Sequence, residues 1–206
     1  MESWFYHPKE RTESKTAAYS DATRKLTVRT TIPADLTGVA QIIALSFHSQ
    51  KGLWGWAFPL LRLGIYEDLR HRLASPAPHH TCLVAVETSP NLADNVIATV
   101  ELGVRFSDSW TQLGKSFPYL SNLAVHPNYR RRGAASELLM NCEKITREWG
   151  FQDLYLHVLE NNHQARQLYF KLGYRVYQVE SRWNALFLGR SRQILLHKRL
   201  TPSSAI

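Results

Sequence analysis

The stretch HPNYRRRGAASELL, residues 126–139, decides how the chain is read. An alternating apolar run, FPYLSNLAV, ends at Val125 and reads as a strand. From Gly133 the pattern changes period: Ala135, Leu138, Leu139, Cys142, Ile145 and Trp149 form one stripe of a helix, and Gly150 suits its C-cap. Between the two lie Arg130, Arg131 and Arg132. The first turn of a helix has about four N–H groups without intrahelical partners, and its macrodipole adds partial positive charge. Gly133 and Ala135 keep side chains away from that turn, and the arginines surround it with guanidinium charge. The arrangement suits an anion, and a pyrophosphate in particular. Taken alone, the turn equally suits a solvated basic loop before an ordinary helix. It lacks the Gly-Lys-Ser/Thr ending of a Walker A loop, and it lacks the glycine spacing and acidic ribose ligand of a dinucleotide fingerprint.

Working outward, KLTVRTT reads as a strand and PADLTGVAQIIALSF as a helix, with Leu36, Val39, Ala40, Ile43 and Phe47 on one face and Asp35 at its start. A second helix begins near Pro59, with Leu61, Ile65, Leu69 and Leu73 four apart. TCLVAVET and VIATVELGVRF read as a hairpin around a turn-rich SPNLADN. Beyond the opening stretch follow a strand (FQDLYLHV), a helix (NHQARQLYFKLG) and two strands (YRVYQVE and RQILLHKRL). The order β α α β β β α β α β β predicts a mixed α/β domain rather than a strict βαβ repeat.

Two linked motifs carry a family resemblance. Arg130, Gly133 and Ala135 fit Gln/Arg-x-x-Gly-x-Gly/Ala. Asn162, Ala165, Tyr169, Gly173 and Tyr174 fit a second pattern of Asn, Ala three later, Tyr seven later, then Gly-Phe/Tyr. At this separation the chain resembles the GNAT superfamily of acetyl-CoA-dependent N-acetyltransferases over residues 26–200, most strongly over 117–180. LLRLGIYEDLRHRL and LHVLENNHQARQLYFKLGY are similar to its plastid and cyanobacterial branch, which acetylates protein N-termini and lysines. The resemblance implies the GNAT fold: a mixed central sheet splayed between two parallel strands, with flanking helices. Residues 1–25 are polar without a clear period and read as a flexible arm, and 201–206 read as a tail.

The resemblance also implies a site. Leu123 and Val125, beside Ala124, give backbone hydrogen bonds to the pantetheine arm of acetyl-CoA. Arg130, Arg131, Arg132, Gly133, Ala134, Ala135 and Ser136 cradle the pyrophosphate. Asn162, His163 and Gln164 border the arm on its other side. Tyr169 is the proton donor to the leaving thiolate; outside this motif it would read as a core aromatic. Tyr119 and His157 fall at the positions where a eukaryotic N-terminal acetyltransferase uses a Tyr and a His as base through water. Glu101 is the reserve base. No metal is implied, and His79 and His80 lack ligands at metal spacing.

A free α-amino group has a pKa of about 7.7–8.0 and lysine about 10.4, so a weak base favours α-amines. The expected acceptors are therefore protein N-termini, with lysines as a second class, for a monomer or homodimer. A small-amine acetyltransferase and a non-catalytic acetyl-CoA sensor or basic nucleic-acid module are the alternatives. RNA-binding signatures are absent, so no nucleic-acid partner is expected. Trp54, Trp56 and Phe58 suit either a lip of the acceptor groove or the core; residues 107–116 suit the opposite lip, and the hairpin around NALFLGRS a closing flap.

Composition agrees with these readings. Across 206 residues the net charge is +8, with 44% hydrophobic and 20% charged residues. That balance suits a globular domain with anionic partners. No apolar run has the length of a membrane span. The opening residues lack the features of a signal or transit peptide, pointing to a bacterial cytoplasm or a mature plastid form. Cys82 and Cys142 read as unpaired thiols of a reducing compartment.

Overall fold

The structure, a computed structural model, describes residues 25–47, 58–75, 77–89, 92–106, 116–179 and 192–201. Seven strands form one sheet: β1 (Lys25–Thr30), β2 (His80–Ser89), β3 (Leu92–Phe106), β4 (Ser116–Val125), β5 (Asp153–Leu159), β6 (Arg175–Val179) and β7 (Gln193–Arg199). Four helices flank it: α1 (Leu36–Phe47), α2 (Phe58–Ala74), α3 (Ala134–Glu148) and α4 (His163–Lys171). The expected element order holds. The turn-rich reading of SPNLADN does not, because β2 runs on to Ser89 and β3 starts at Leu92, with Ser89 opposite Leu92.

The strands lie in the order β1-β2-β3-β4-β5-β7-β6. Every neighbouring pair is antiparallel except β4 and β5. Those two pair only at Tyr119–Tyr155 and Leu120–Leu156. Beyond Leu120 they separate, and this opens the sheet where the chain enters the arginine turn.

One face of the sheet packs on α3 and α4, where Leu138, Leu139, Cys142 and Tyr169 bury against Leu83, Leu102, Leu120, Leu156 and Leu196. The other face packs on α1 and α2 through Val39, Ala40, Ile43 and Leu69 against Val84, Val86 and Ala124. Strand alternation sends successive side chains to opposite faces. A bulge in β4 interrupts that rule. Thr99 pairs with Ala124 but Glu101 pairs with Ser121, so β4 carries one extra residue there. Asn122 sits in the bulge with φ of 53°. The extra residue resets the alternation: Tyr119 and Ser121 face the α1/α2 side, whereas Leu123 and Val125 join the α3/α4 side.

Local chemistry explains the helix ends. Asp35 closes a short 3-10 turn before α1; its carboxylate accepts the Ile32 N–H at 2.9 Å and pairs with Arg29 at 2.6 Å. Gly150 ends α3 with φ of 84°, its N–H bonded to the Arg147 carbonyl. On α3 the fully buried stripe runs through Ala134 rather than Ala135, which leaves Ala135 facing a groove. α2 is the weakest match to its reading: among its apolar residues only Leu69 is fully buried, while Ile65 and Leu73 pack at the edge.

Candidate active site

A groove of about 540 Å³ lies on the α3/α4 side, where β4 and β5 part. Its walls combine Leu123 and Val125 of β4, the turn and first residues of α3, and the inward face of α4. The turn is unusual in its backbone. Arg131 has φ of 68° and Gly133 φ of 88°, both in the left-handed region. Gly133 is the N-cap of α3 and supplies no capping side chain to the first-turn N–H groups. A Cβ at Gly133 would meet no atom within 4 Å, so the space before the helix is open. Arg130, Arg131 and Lys171 line the groove, and among the described residues no carboxylate does. Open helix N–H groups, left-handed backbone and uncompensated cations fit the pyrophosphate end of acetyl-CoA.

The groove brings together Leu123, Val125, Arg130, Arg131, Gly133, Ala134, Ala135, Ser136, Asn162, Gln164 and Tyr169. Three expected members lie outside its lining. Ala124 is turned by the bulge toward α1 and is 3% exposed. Arg132 leans over the Tyr129 ring and toward Glu87 at 3.5 Å. The N–H of His163 is committed to the Asn161 carbonyl. Asn162 has a local task, since its side chain accepts the Ala165 N–H at 3.2 Å and caps α4. Arg130 Nε reaches back to the Val125 carbonyl at 3.3 Å and fastens the turn to the strand. Tyr129, Gln167, Leu168 and Lys171 also line the groove and were not anticipated. Spacing from Gln164 to Gln167 and Lys171 places those residues on one helical face, a signal the sequence does contain.

Tyr169, on α4, is 7% exposed yet reaches the groove wall. Burial, reinforced by the nearby Tyr119 phenol, pushes its pKa above the ordinary tyrosine value, so it holds its proton at neutral pH. Tyr119 lies on the other side of the sheet. Its hydroxyl shares a hydrogen bond of 2.8 Å with Nδ1 of His157 on β5. The parallel register pairs Tyr119 with Tyr155, which puts His157 one alternation further along the same face. Phe117 and Tyr155 stack edgewise nearby, and the Arg105 guanidinium lies 3.6 Å above the Tyr119 ring.

Glu101 anchors the polar part of this second face and is 4% exposed. Its carboxylate accepts from Arg72 at 2.5 Å, His80 Nε2 at 2.7 Å and Asn122 Nδ2 at 2.7 Å, with the Ser121 hydroxyl at 3.5 Å. Burial alone would raise its pKa. The hydrogen bonds from His80 and Arg72, the Arg72 charge and the Asn122 amide override that and hold it at about 2. A carboxylate so stabilised is a weak proton acceptor at neutral pH. His80, which the sequence marks only as lacking metal ligands, opens β2 and donates to this carboxylate. Nothing in its local sequence marks that contact, which depends on the β2–β3 register. Trp54, Trp56, most of the 107–116 loop and the NALFLGRS turn lie outside the described residues; Phe58 opens α2, half-buried.

Comparison with known proteins agrees with this geometry. Residues 46–174 match the acetyltransferase (GNAT) family. The chain is 29% identical over 175 residues to GCN5-related N-acetyltransferase 10, chloroplastic, of Arabidopsis thaliana, covering 81% of this chain and 68% of that protein. Arabidopsis thaliana NAA60, solved with a bisubstrate analogue, superposes with a TM-score of 0.63 at 19% identity over 87% of this chain and 100% of that one. The PaiA N-acetyltransferase of Thermoplasma acidophilum, solved with coenzyme A, gives a TM-score of 0.61 at 19% identity over 85% of this chain and 99% of that one. With its sheet parted between β4 and β5 and a bare helix start beside the gap, the chain belongs to the GNAT family and is an N-acetyltransferase.

Proposed function

We propose that this protein transfers acetyl from acetyl-CoA directly to protein amines, N-terminal α-amines first and lysine ε-amines second. The observation that carries the proposal is the pairing of Tyr119 with His157 on the sheet face opposite the groove, beside the cleft that Tyr169 approaches from the other side. Acetyl-CoA, when bound, supplies the acetyl group as a thioester. The residues of this chain do the rest. The α3 turn with Arg130 and Arg131, together with Leu123, Val125, Asn162 and Gln164, holds and orients it. His157, fixed through Tyr119, takes the proton of the incoming ammonium by way of water. Tyr169 keeps a proton on its hydroxyl for the departing sulfur. An α-amine, already partly neutral near pH 7–8, needs only the weak base that an imidazole provides. Ala124, Arg132 and His163 then support the cradle from behind rather than through side-chain contact.

We further take residues 26–200 as the transferase domain, with 1–25 and 201–206 as appendages. The chloroplastic relative supports a plastid stroma as the compartment. Incubation with acetyl-CoA and peptides carrying a free N-terminus and an internal lysine, read by tandem mass spectrometry, tests the proposal. Acetylated α-amines are expected, with weaker lysine modification. Transfer to small amines but to no peptide would replace this reading with a small-amine acetyltransferase, and coenzyme binding without any transfer would replace it with a sensor.

A further inference from the structure

A second cavity, about 330 Å³, opens on the α1/α2 side between the C-terminal half of α2 and strands β2 to β4. Strand register sets His80, Gly103 and Tyr119 side by side along its floor. The row continues beyond the cavity to Tyr155 and His197, across five neighbouring strands in all. Four of the five carry rings, and Gly103 carries none. Without a side chain at Gly103 the cavity wall dips between His80 and Tyr119 into a shallow notch, partly covered by the His80 ring, whose Cδ2 lies 3.1 Å from where a Cβ would stand. Tyr119 is both a wall of this notch and the partner of His157, so the notch adjoins the proposed reaction centre.

The charges around the notch are unevenly committed. Glu101 already accepts from Arg72, His80 and Asn122, which leaves it little capacity to attract a cation. Arg72 is shared between Glu101 and Asp68, the latter at 2.6 Å. Arg105 is different. It lines the notch, stacks on Tyr119, and among the described residues makes no ion pair. Stacking holds the guanidinium plane, and among the described residues no carboxylate meets its N–H edge.

We propose that Arg105 is a specificity-determining residue that favours acceptors with a carboxylate in their first two residues, the acidic side chain entering the Gly103 notch beside Tyr119. This rests on the peptide-amine reading given above. A basic side chain in the same place would face Arg105 and Arg72, with no open carboxylate to meet among the described residues of the cavity.

The test uses the full chain, acetyl-CoA and lysine-free peptides identical except for Glu, Gln or Arg at the second position. Wild-type kcat/KM for the α-amine should fall in the order Glu, Gln, Arg, by ~3–5-fold per step, as for one partly exposed charge contact. The difference should lie mainly in KM and shrink in high salt. Arg105→Gln should erase the Glu-over-Gln ratio, and Arg105→Lys should keep most of it. A merely supporting role for Arg105 would lower all three peptides in parallel and leave the ratio intact; that result, or equal wild-type rates for the three peptides, overturns the inference while leaving peptide acetylation standing. No transfer to any peptide overturns both.

Discussion

The two faces of the sheet solve opposite problems. The α3/α4 face offers a ligand backbone: a left-handed turn, an uncapped helix start and small residues from Gly133 to Ser136. The α1/α2 face offers ionisable side chains drawn from four strands and a helix: His80, Glu101, Tyr119, His157 and Arg72. A backbone site is local in sequence, and a side-chain site assembled by register is not. Between them lies the parted β4/β5 pair, which stays joined only at Tyr119–Tyr155 and Leu120–Leu156.

The largest effect that could break this comparison concerns Tyr169, the proposed proton donor on the groove side. Tyr169→Phe should lower kcat by ~10²-fold or more while the KM for acetyl-CoA changes little, since general-acid contributions run about 10²–10⁴. A wild-type kcat would remove Tyr169 from the chemistry. Next, His157→Ala should cost about 10²-fold in kcat/KM and be partly recovered at high pH, where the α-amine deprotonates unaided. Unchanged turnover across pH in this variant or in Tyr119→Phe would transfer the base role elsewhere.

Gly133→Val acts on the backbone face alone. A β-branched residue at φ of 88° is strained and would intrude on the open space before α3. The KM for acetyl-CoA should rise about tenfold, with the acceptor KM nearly constant. A parallel rise in both would mean that the two faces are not independent.

The smallest expected effect sharpens the account of the second face. Glu101 has a folded pKa of about 2, below its ordinary value of 4.5. A lowered folded pKa adds stability that is present above the ordinary value and fades as pH falls toward the folded one. Glu101 should therefore contribute on the order of 3 kcal/mol at neutral pH, lost between about pH 4.5 and 2. Glu101→Gln should lower the urea midpoint at pH 7 and flatten its decline in acid. An unaltered acid limb would show that other carboxylates dominate it.

Most of the architecture was legible beforehand because it rests on periodicity. The stripe from Leu138 to Cys142 requires one helix face to be buried, and local pattern is enough to show it. Where boundaries slipped, as at SPNLADN, cross-strand pairing carried strands through residues that favour turns. α2 was harder, since only one of its four spaced apolar residues is fully buried.

By itself, the sequence determined the basic turn and the helix start that follows it. Positive-φ glycine, helix start and arginines lie within a few residues, so their spacing along the chain is their spacing in space. Only the tertiary structure decided the rest. The Asn122 bulge turns Ala124 away and Leu123 inward, and no local pattern signals it. Likewise Glu101 and His80 are 21 residues apart, and Tyr119 and His157 are 38 apart. Each pair meets because adjacent strands lie about 5 Å apart at one register, and a slip of one residue would send those side chains to opposite faces.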